Sequence, residues 1–419
     1  MRNLLRTSIA ALALMTAFPA FAVENVVWWD FLSGGDGVRM KALIQRFNDE
    51  HKDKIQITGT TLEWGIPYYT KLQTSAAVGQ GPDIATYHLS RLAGAVAAKT
   101  ISPIDPKELE AVGLKDGDYP PNAIAASTVD NVRYAVPFDV HGEVLYYNKT
   151  VLKDLGALGN DGKPTGIDTL EGWRAVLAKA KEADKNGVVI SSSNGDLRDI
   201  YTLFGQEGGQ LTADGKFLQG DNFDKMEKAY NEVAEWVKQG WAQPYIDTET
   251  ITPTFIAGQS AFFLNGNWEL PTMETEVAKG NGFDYGMVNI PAWMGKPANW
   301  SDSHSFVIPN NVGKTMTPEK RAAVLEVIRW MNVNSLEWAA AGHIPAYLPV
   351  STSAAYKALK PQADYAAMAL NAFYMPKTPL TGAASKFDDD WQNMASGPLN
   401  GEGDVKETLE KFREHMNSQ

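Results

Sequence analysis

Short β-rich apolar runs alternate along the chain with stretches in which apolar residues recur every three to four positions. NVVWWDF (25–31) predicts a strand, and it meets the turn Ser33-Gly34-Gly35-Asp36. Met40, Leu43, Ile44 and Phe47 follow at i, i+3, i+4, i+7 spacing and predict a helix with Asp36 as its N-cap. KIQITGT (54–60) predicts a second strand, 67–78 a second helix stopped by Gly79 to Pro82, DIATYH (83–88) a third strand, and 90–98 a further helical stretch. Strands and helices in this alternation imply a parallel sheet with right-handed crossovers.

The middle of the chain changes character. RYAVPFD (133–139) and EVLYYN (143–148) predict two strands separated by Val140, His141 and Gly142. Helices are expected over 170–183 and around Phe223 to Val237, the latter stopped by Gly240. Strands recur at 261–265, 284–290 and 303–309. A helix follows at 317–332, and the tail is helical with Val405, Leu409, Phe412 and Met416 on one face. There is no internal repeat and no low-complexity segment. The most linker-like stretches, 157–168, 293–302 and 376–383, are short.

Composition narrows the class. The 419 residues contain 44% hydrophobic and 21% charged positions, a globular balance. Acids exceed bases by 50 to 38, giving a net charge of −12, which argues against a nucleic-acid partner. There are no cysteines, so disulfides, thiolate metal sites, a cysteine nucleophile and lipid attachment through an N-terminal cysteine are excluded. Residues 1–22 carry Arg2 and Arg6, a short apolar run and Ala20-Phe21-Ala22, the anatomy of a secretory signal peptide. The run is too short to span a bilayer, which needs about 20 apolar residues. An exported, most simply periplasmic, protein is therefore expected once residues 1–22 are removed.

Enzyme signatures are lacking: there is no GxSxG, Walker or HExxH motif, and the glycines of 33–37 do not have GxGxxG spacing. Six histidines, at 51, 88, 141, 304, 343 and 415, include no pair at i+2 or i+4. A zinc site from the distant His88, His141 and His304 has no spacing signature behind it, so no metal and no cofactor are expected. Aromatics are the informative excess: 12 Trp, 15 Tyr and 16 Phe. Trp173, Trp236, Trp330 and Trp338 fall in helical patterns and read as core. Trp268 follows Gly266-Asn267 at a strand end, Tyr87 and His88 end the third strand, and Trp300 lies in a polar loop. A flat ring at a cleft edge offers an apolar face to a sugar, and nearby polar groups supply specificity through hydrogen bonds to its hydroxyls.

Five segments carry a family likeness. They are VVWWDFLSGGDGVRMKALIQRFNDEH, KLQTSAAVGQGPDIATYHLSRLAG, YAVPFDVHGEVLYYNKTVLKDLG, GQSAFFLNGNWEL and SHSFVIPNN. Gly81-Pro82-Asp83-Ile84, Tyr147-Asn148-Lys149 and Gly266-Asn267-Trp268 match the landmarks of that family in order and spacing. The chain resembles the periplasmic sugar-binding components of ABC importers, the extracellular solute-binding family 1 that includes the maltose-binding proteins, over essentially its whole length beyond residue 22. The resemblance implies an α/β, two-lobed periplasmic binding protein of type II fold with hinge crossovers. Lobe 1 would comprise 23–138 plus 291–343, and lobe 2 would comprise 139–290 plus 344–419. It also implies a monomer that captures a sugar by hinge closure and delivers it, unaltered, to the transmembrane subunits of an ABC permease.

The same resemblance carries a site over by position. Ser33 and Asp36 occupy a loop that reaches hydroxyls. Tyr87, His88, Ser90 and Arg91 stand where relatives place stacking and polar residues. His141 stands where relatives have a cleft carboxylate, which points to Asp139 as the replacement acid. Asp196 and Arg198 match a lobe-two ligand loop, Trp268 is the expected stacking platform, Asp302 and His304 precede a strand near a crossover, and Tyr374 completes the set. For Asp36, Arg91, Asp196 and Arg198, helix capping, ion pairing or solvation are the structural alternatives. Several aromatics favour a disaccharide or glycoside over a monosaccharide, with a sugar acid or polyol as the alternative ligand. The competing classes are an exported glycan-processing enzyme, which would consume its ligand, and a metal-binding or sensor protein, which zinc alone would stabilise.

Overall fold

The computed structural model describes residues 23–419, so residues 1–22, expected to be a signal peptide, lie outside the described residues. A first mixed sheet runs in the order Ile55–Thr61, Glu24–Asp30, Ile84–His88, His304–Pro309, Ile101–Ser102, and Ala135–Pro137 also pairs with His304–Pro309. The first three strands are parallel, as the alternation with helices predicts. His304–Pro309 is antiparallel to its neighbour, so the sheet departs from the all-parallel expectation where the chain returns from a distant segment. Helix Gly34–Glu50 buries Met40, Leu43 and Phe47 of the predicted stripe and half-buries Ile44. Its cap position is Ser33. Asp36 lies inside the first turn and does not cap the helix, correcting the expectation.

The second sheet is built on Asp139–Asn148, one ten-residue strand buried throughout. The predicted break at Val140–Gly142 does not exist. The strand continues through it, pairing Val140 with Ile344, His141 with Asp302 and Gly142 with Ser301. Ser260–Gly266 and Tyr285–Val288 pair antiparallel along its outer half. Trp300, expected in a loop, lies in strand Asn299–Asp302, which pairs in this second sheet. Alternation along the long strand sends Val144 and Tyr146 into one apolar cluster with Trp28, Phe47 and Phe306, and Leu145 and Tyr147 into another with Trp173, Trp236 and Phe262.

Gly142 is required where the sheets meet. A Cβ there would come within 2.3 Å of the Trp300 carbonyl oxygen and 3.0 Å of the Ser301 Cα. The chain passes between the sheets at Phe138–Asp139, Asp302–His304 and His343–Ala346. These passages are bonded to one another: Phe138 N donates to His304 O at 2.8 Å and Ala346 N to Phe138 O at 3.0 Å. No helix among the described residues is long and apolar enough to cross a membrane.

Candidate functional site

A cavity of about 400 Å³ opens beside these passages, within the usual range of small-molecule sites. Strand register builds its floor. His304 pairs with His88 in the first sheet, and Asp302 pairs with His141 in the second. Residues separated by more than 150 positions in sequence are thereby set side by side. Asp139, two residues before His141 on the same face of the strand, is fully buried beneath them. Its carboxylate accepts from His141 Nδ1 at 3.0 Å, His304 Nδ1 at 2.7 Å, His304 N at 2.9 Å and Trp338 Nε1 at 2.6 Å. Burial alone would raise the Asp139 pKa, but His304 and His343 beside it hold the carboxyl well below the usual range. Burial pushes His141 down to about 4. His343 donates toward Asp36, with Nε2 to Oδ2 at 3.1 Å.

Two indoles form a wall. Trp268, half-buried, stands edge-on to Trp300 with ring centroids 6.3 Å apart and an interplanar angle of 86°. The Arg198 guanidinium lies 4.9 Å from the Trp268 ring centre and 4.8 Å from that of Trp300, and pairs with Glu143 at 3.4 Å. Arg198 starts from helix Leu197–Gln206, which is preceded by Asp196 in the left-handed region at φ 41°. Asp196 is buried, and its Oδ2 has no hydrogen-bond partner among the described residues. Burial pushes its carboxyl up to about 6, that of Asp302 to about 6 and that of Asp388 to about 7. Five carboxylates (Asp36, Asp196, Glu269, Asp302, Asp388) and one guanidinium, Arg198, line the cavity.

Of the positions carried over from the sequence, the cavity wall includes Ser33, Asp36, His88, Ser90, His141, Asp196, Arg198, Trp268, Asp302 and His304. Tyr87, Arg91, Asp139 and Tyr374 stand off it. Tyr87 neighbours His88 on a strand, so its side chain takes the opposite face and packs edge-on against Tyr69 at 5.1 Å. Arg91 lies over the Tyr69 ring at 4.4 Å and donates to Ala384 O at 3.2 Å. Asp139 sits beneath the histidines. The Tyr374 hydroxyl is buried, and Met375 lines the cavity instead. The wall also contains Trp64, His343, Glu269, and Asp388 and Gln392 of helix Lys386–Ala395, which the sequence did not single out. Asp388 and Gln392 are spaced i, i+4 and share one helix face, a signal that becomes legible only once that helix is known to abut the cleft.

Comparison with known proteins fits this geometry. The chain is 23% identical to the sn-glycerol-3-phosphate-binding periplasmic protein UgpB of Agrobacterium fabrum over 312 residues, covering 68% of this chain and 65% of that one. It is 24% identical to the galactooligosaccharide-binding protein of Bacillus subtilis over 302 residues, covering 68% and 62%. The match thus spans a little under two thirds of each of these curated relatives. Among solved structures, the sugar-binding protein MalE of Xanthomonas citri superposes with a TM-score of 0.77 at 18% identity, covering 94% of this chain and 96% of that one. The GacH receptor of Streptomyces glaucescens, determined unliganded and with acarbose, superposes at 0.76 with 16% identity, covering 94% and 97%. These likenesses show the fold, a two-lobed periplasmic binding protein of type II. The family model for the bacterial extracellular solute-binding protein matches residues 42–373, more than three quarters of the sequence, and the chain belongs to that family.

Proposed function

We propose that the protein captures a sugar outside the cytoplasmic membrane and delivers it unaltered to an ABC permease. In this reading residues 1–22 direct export to a periplasm, and the mature protein works as a monomer. The observation that carries the proposal is the wall of Trp268 and Trp300, bridged by Arg198, facing a cavity rich in hydrogen-bonding side chains. Indole faces suit the C–H side of a pyranose, and buried polar groups left unpaired without a ligand make binding selective. The relatives that bind a galactooligosaccharide, acarbose or sugars lend support. Five carboxylates against one guanidinium favour a neutral sugar over a sugar acid or phosphate. Because Asn299–Asp302 pairs in the second sheet, the halves that would close on the ligand are 23–138 plus 303–343 and 139–302 plus 344–419, which moves the expected return boundary from 291 to 303. Ser33, Asp36, His88, His141, Asp196, Arg198, Trp268, Asp302 and His304 would contact it, and Asp139 would hold the imidazoles in place.

A thermal-shift screen with neutral oligosaccharides, monosaccharides, sugar acids, polyols and phosphates tests this. At 100 times its Kd a ligand stabilises the folded form by about 2.7 kcal/mol, a readily visible shift. Stabilisation by a neutral di- or oligosaccharide, recovered intact after hours, is the expected outcome. Consumption of the sugar would favour the enzyme reading, and stabilisation by acids or phosphates alone would refute the neutral-sugar assignment.

A further inference from the structure

We propose that His88, His141 and Asp302 form a binding site for one divalent transition-metal ion at the floor of the cleft. One nitrogen from each histidine and one oxygen from Asp302 lie within 4.8 Å of one another, and the three residues are 5%, 3% and 1% exposed. Three different strands supply them, Ile84–His88, Asp139–Asn148 and Asn299–Asp302. All three line the cavity, which leaves further coordination positions facing the cleft. Two imidazoles and one carboxylate suit zinc, cobalt(II), nickel(II) or iron(II).

Each ligand is oriented from behind, as metal ligands usually are. His141 gives Nδ1 to Asp139 at 3.0 Å, and His88 Nδ1 bonds the Tyr69 hydroxyl at 2.6 Å. Nε2 of both rings has no protein partner among the described residues, and in His88 it holds the free lone pair when Nδ1–H donates to the Tyr69 oxygen. Asp302 Oδ1 accepts from Ser90 N at 3.1 Å and Ser303 N at 2.8 Å, while Oδ2 accepts only from the Ser90 hydroxyl. Oδ2 thus retains a lone pair for a cation. A second group, Asp139 with His141, His304 and His343, lies equally close together but is the weaker candidate. There the carboxylate already accepts four hydrogen bonds, so it serves as the shared support of His141 and His304 rather than as a ligand. Ligand spacing must contract to about 3.4 Å around a tetrahedral ion with bonds near 2.1 Å. The imidazoles can supply that by small ring rotations about anchored Nδ1 atoms.

The site needs no sugar, so it is tested without one. Full-length mature protein, stripped with EDTA, is titrated with zinc chloride by calorimetry and with cobalt chloride by visible absorption. One equivalent binding with micromolar or tighter Kd is expected, with a ligand-field spectrum for cobalt. His88→Asn and His141→Asn should each weaken binding at least tenfold. Asp139→Asn, a positioning change that leaves the three ligands in place, should weaken it 10- to 100-fold while the cobalt ligand-field spectrum at saturation is retained. Zinc-soaked crystals of the unsubstituted protein give a readout independent of variant folding. An anomalous peak bonded to His88, His141 and Asp302 supports the site. No binding, equal binding by the His88→Asn/His141→Asn variant, or a peak only at the outlying His51 or His415 would overturn it. None of those results bears on whether the cleft binds sugar.

Discussion

Gly266 controls the stacking wall, and its substitution tests how Trp268 is held. Gly266 pairs with Glu143 across the long strand, with φ −70° and ψ 154°, a backbone that any residue adopts. Alanine therefore carries no backbone penalty. The obstacle is the indole: a Cβ at 266 would lie 2.1, 2.1 and 2.2 Å from Trp268 Cη2, Cζ3 and Cζ2. In Gly266→Ala the ring must leave its place, giving up Arg198 at 4.9 Å, Trp300 at 6.3 Å and His141 at 5.9 Å. Each such contact is worth about 0.5–1 kcal/mol, so the free protein should lose about 1.5–3 kcal/mol and still fold. Loss of an aromatic anchor costs binding about 2 kcal/mol, or about 30-fold in Kd. Trp268→Ala should cost the same. Because both changes remove one ring from one position, the double variant should also lose about 30-fold rather than the product of the two, leaving a coupling of about 2 kcal/mol. Calorimetry of the four proteins with the sugar found by thermal screening measures this. Gly266→Ala binding like the parent, or additive losses in the double variant, would refute the claim that the glycine exists to seat the indole.

Three further outcomes are expected. Burial lifts the Asp388 carboxyl to about 7, so the folded protein holds a proton that the unfolded chain, with a carboxyl near 4, has released; stability should fall as pH rises across that window. Asp388→Asn should shrink the drop in Tm between pH 5 and pH 8, though Asp196 and Asp302, also raised, keep part of it; an unchanged drop would remove Asp388 as a contributor. Gly142→Ala should destabilise by about 1–3 kcal/mol in denaturant unfolding, because the new methyl meets the Trp300 backbone oxygen, which cannot rotate away; an unaffected midpoint would show that the Asn299–Asp302 strand yields. X-ray scattering should give a smaller radius of gyration with sugar than without, and identical radii would contradict hinge closure.

The sequence displayed most of the fold because its helices are amphipathic and its first strands are short apolar runs bounded by glycine and proline. It misrepresented the long strand for a physical reason. Asp139–Asn148 is buried on both faces; Asp139, His141 and Glu143 do alternate with Val140, Gly142 and Val144, but with Gly142 in the middle and polar residues where a buried strand is expected to be apolar, Val140, His141 and Gly142 look like a break. His141 is polar and Gly142 small because a buried carboxylate and the neighbouring backbone of Trp300 and Ser301 meet them there. The pairing of Tyr87 with His88 as site residues ignored the two-residue period of a strand, which lets only one of them face the cleft. Histidines 88, 141, 304 and 343 gave no motif because spacing rules detect ligands on one helix or hairpin. Here cross-strand register, with His304 opposite His88 and Asp302 opposite His141, does the gathering.

That register also bears on mechanism. Asp302 and His304 are two residues apart, yet they pair in different sheets, and Ser303 between them is fully buried with its hydroxyl on the Asp139 backbone carbonyl. A rotation of one sheet against the other must therefore pass through the residues that floor the cavity. Anything bound to both Asp302 and His304 favours one value of that rotation over others. A ligand shifts a conformational equilibrium only by its difference in affinity between the states. Contacts to Trp268 alone, carried by one sheet, could not supply such a difference. Sugars that reach both the indole wall and the Asp302–His304 crossing should compact the protein, whereas fragments that stack on Trp268 without reaching the crossing should bind, quench its fluorescence and leave the radius of gyration unchanged. Compaction by such fragments would place the coupling elsewhere than at this floor.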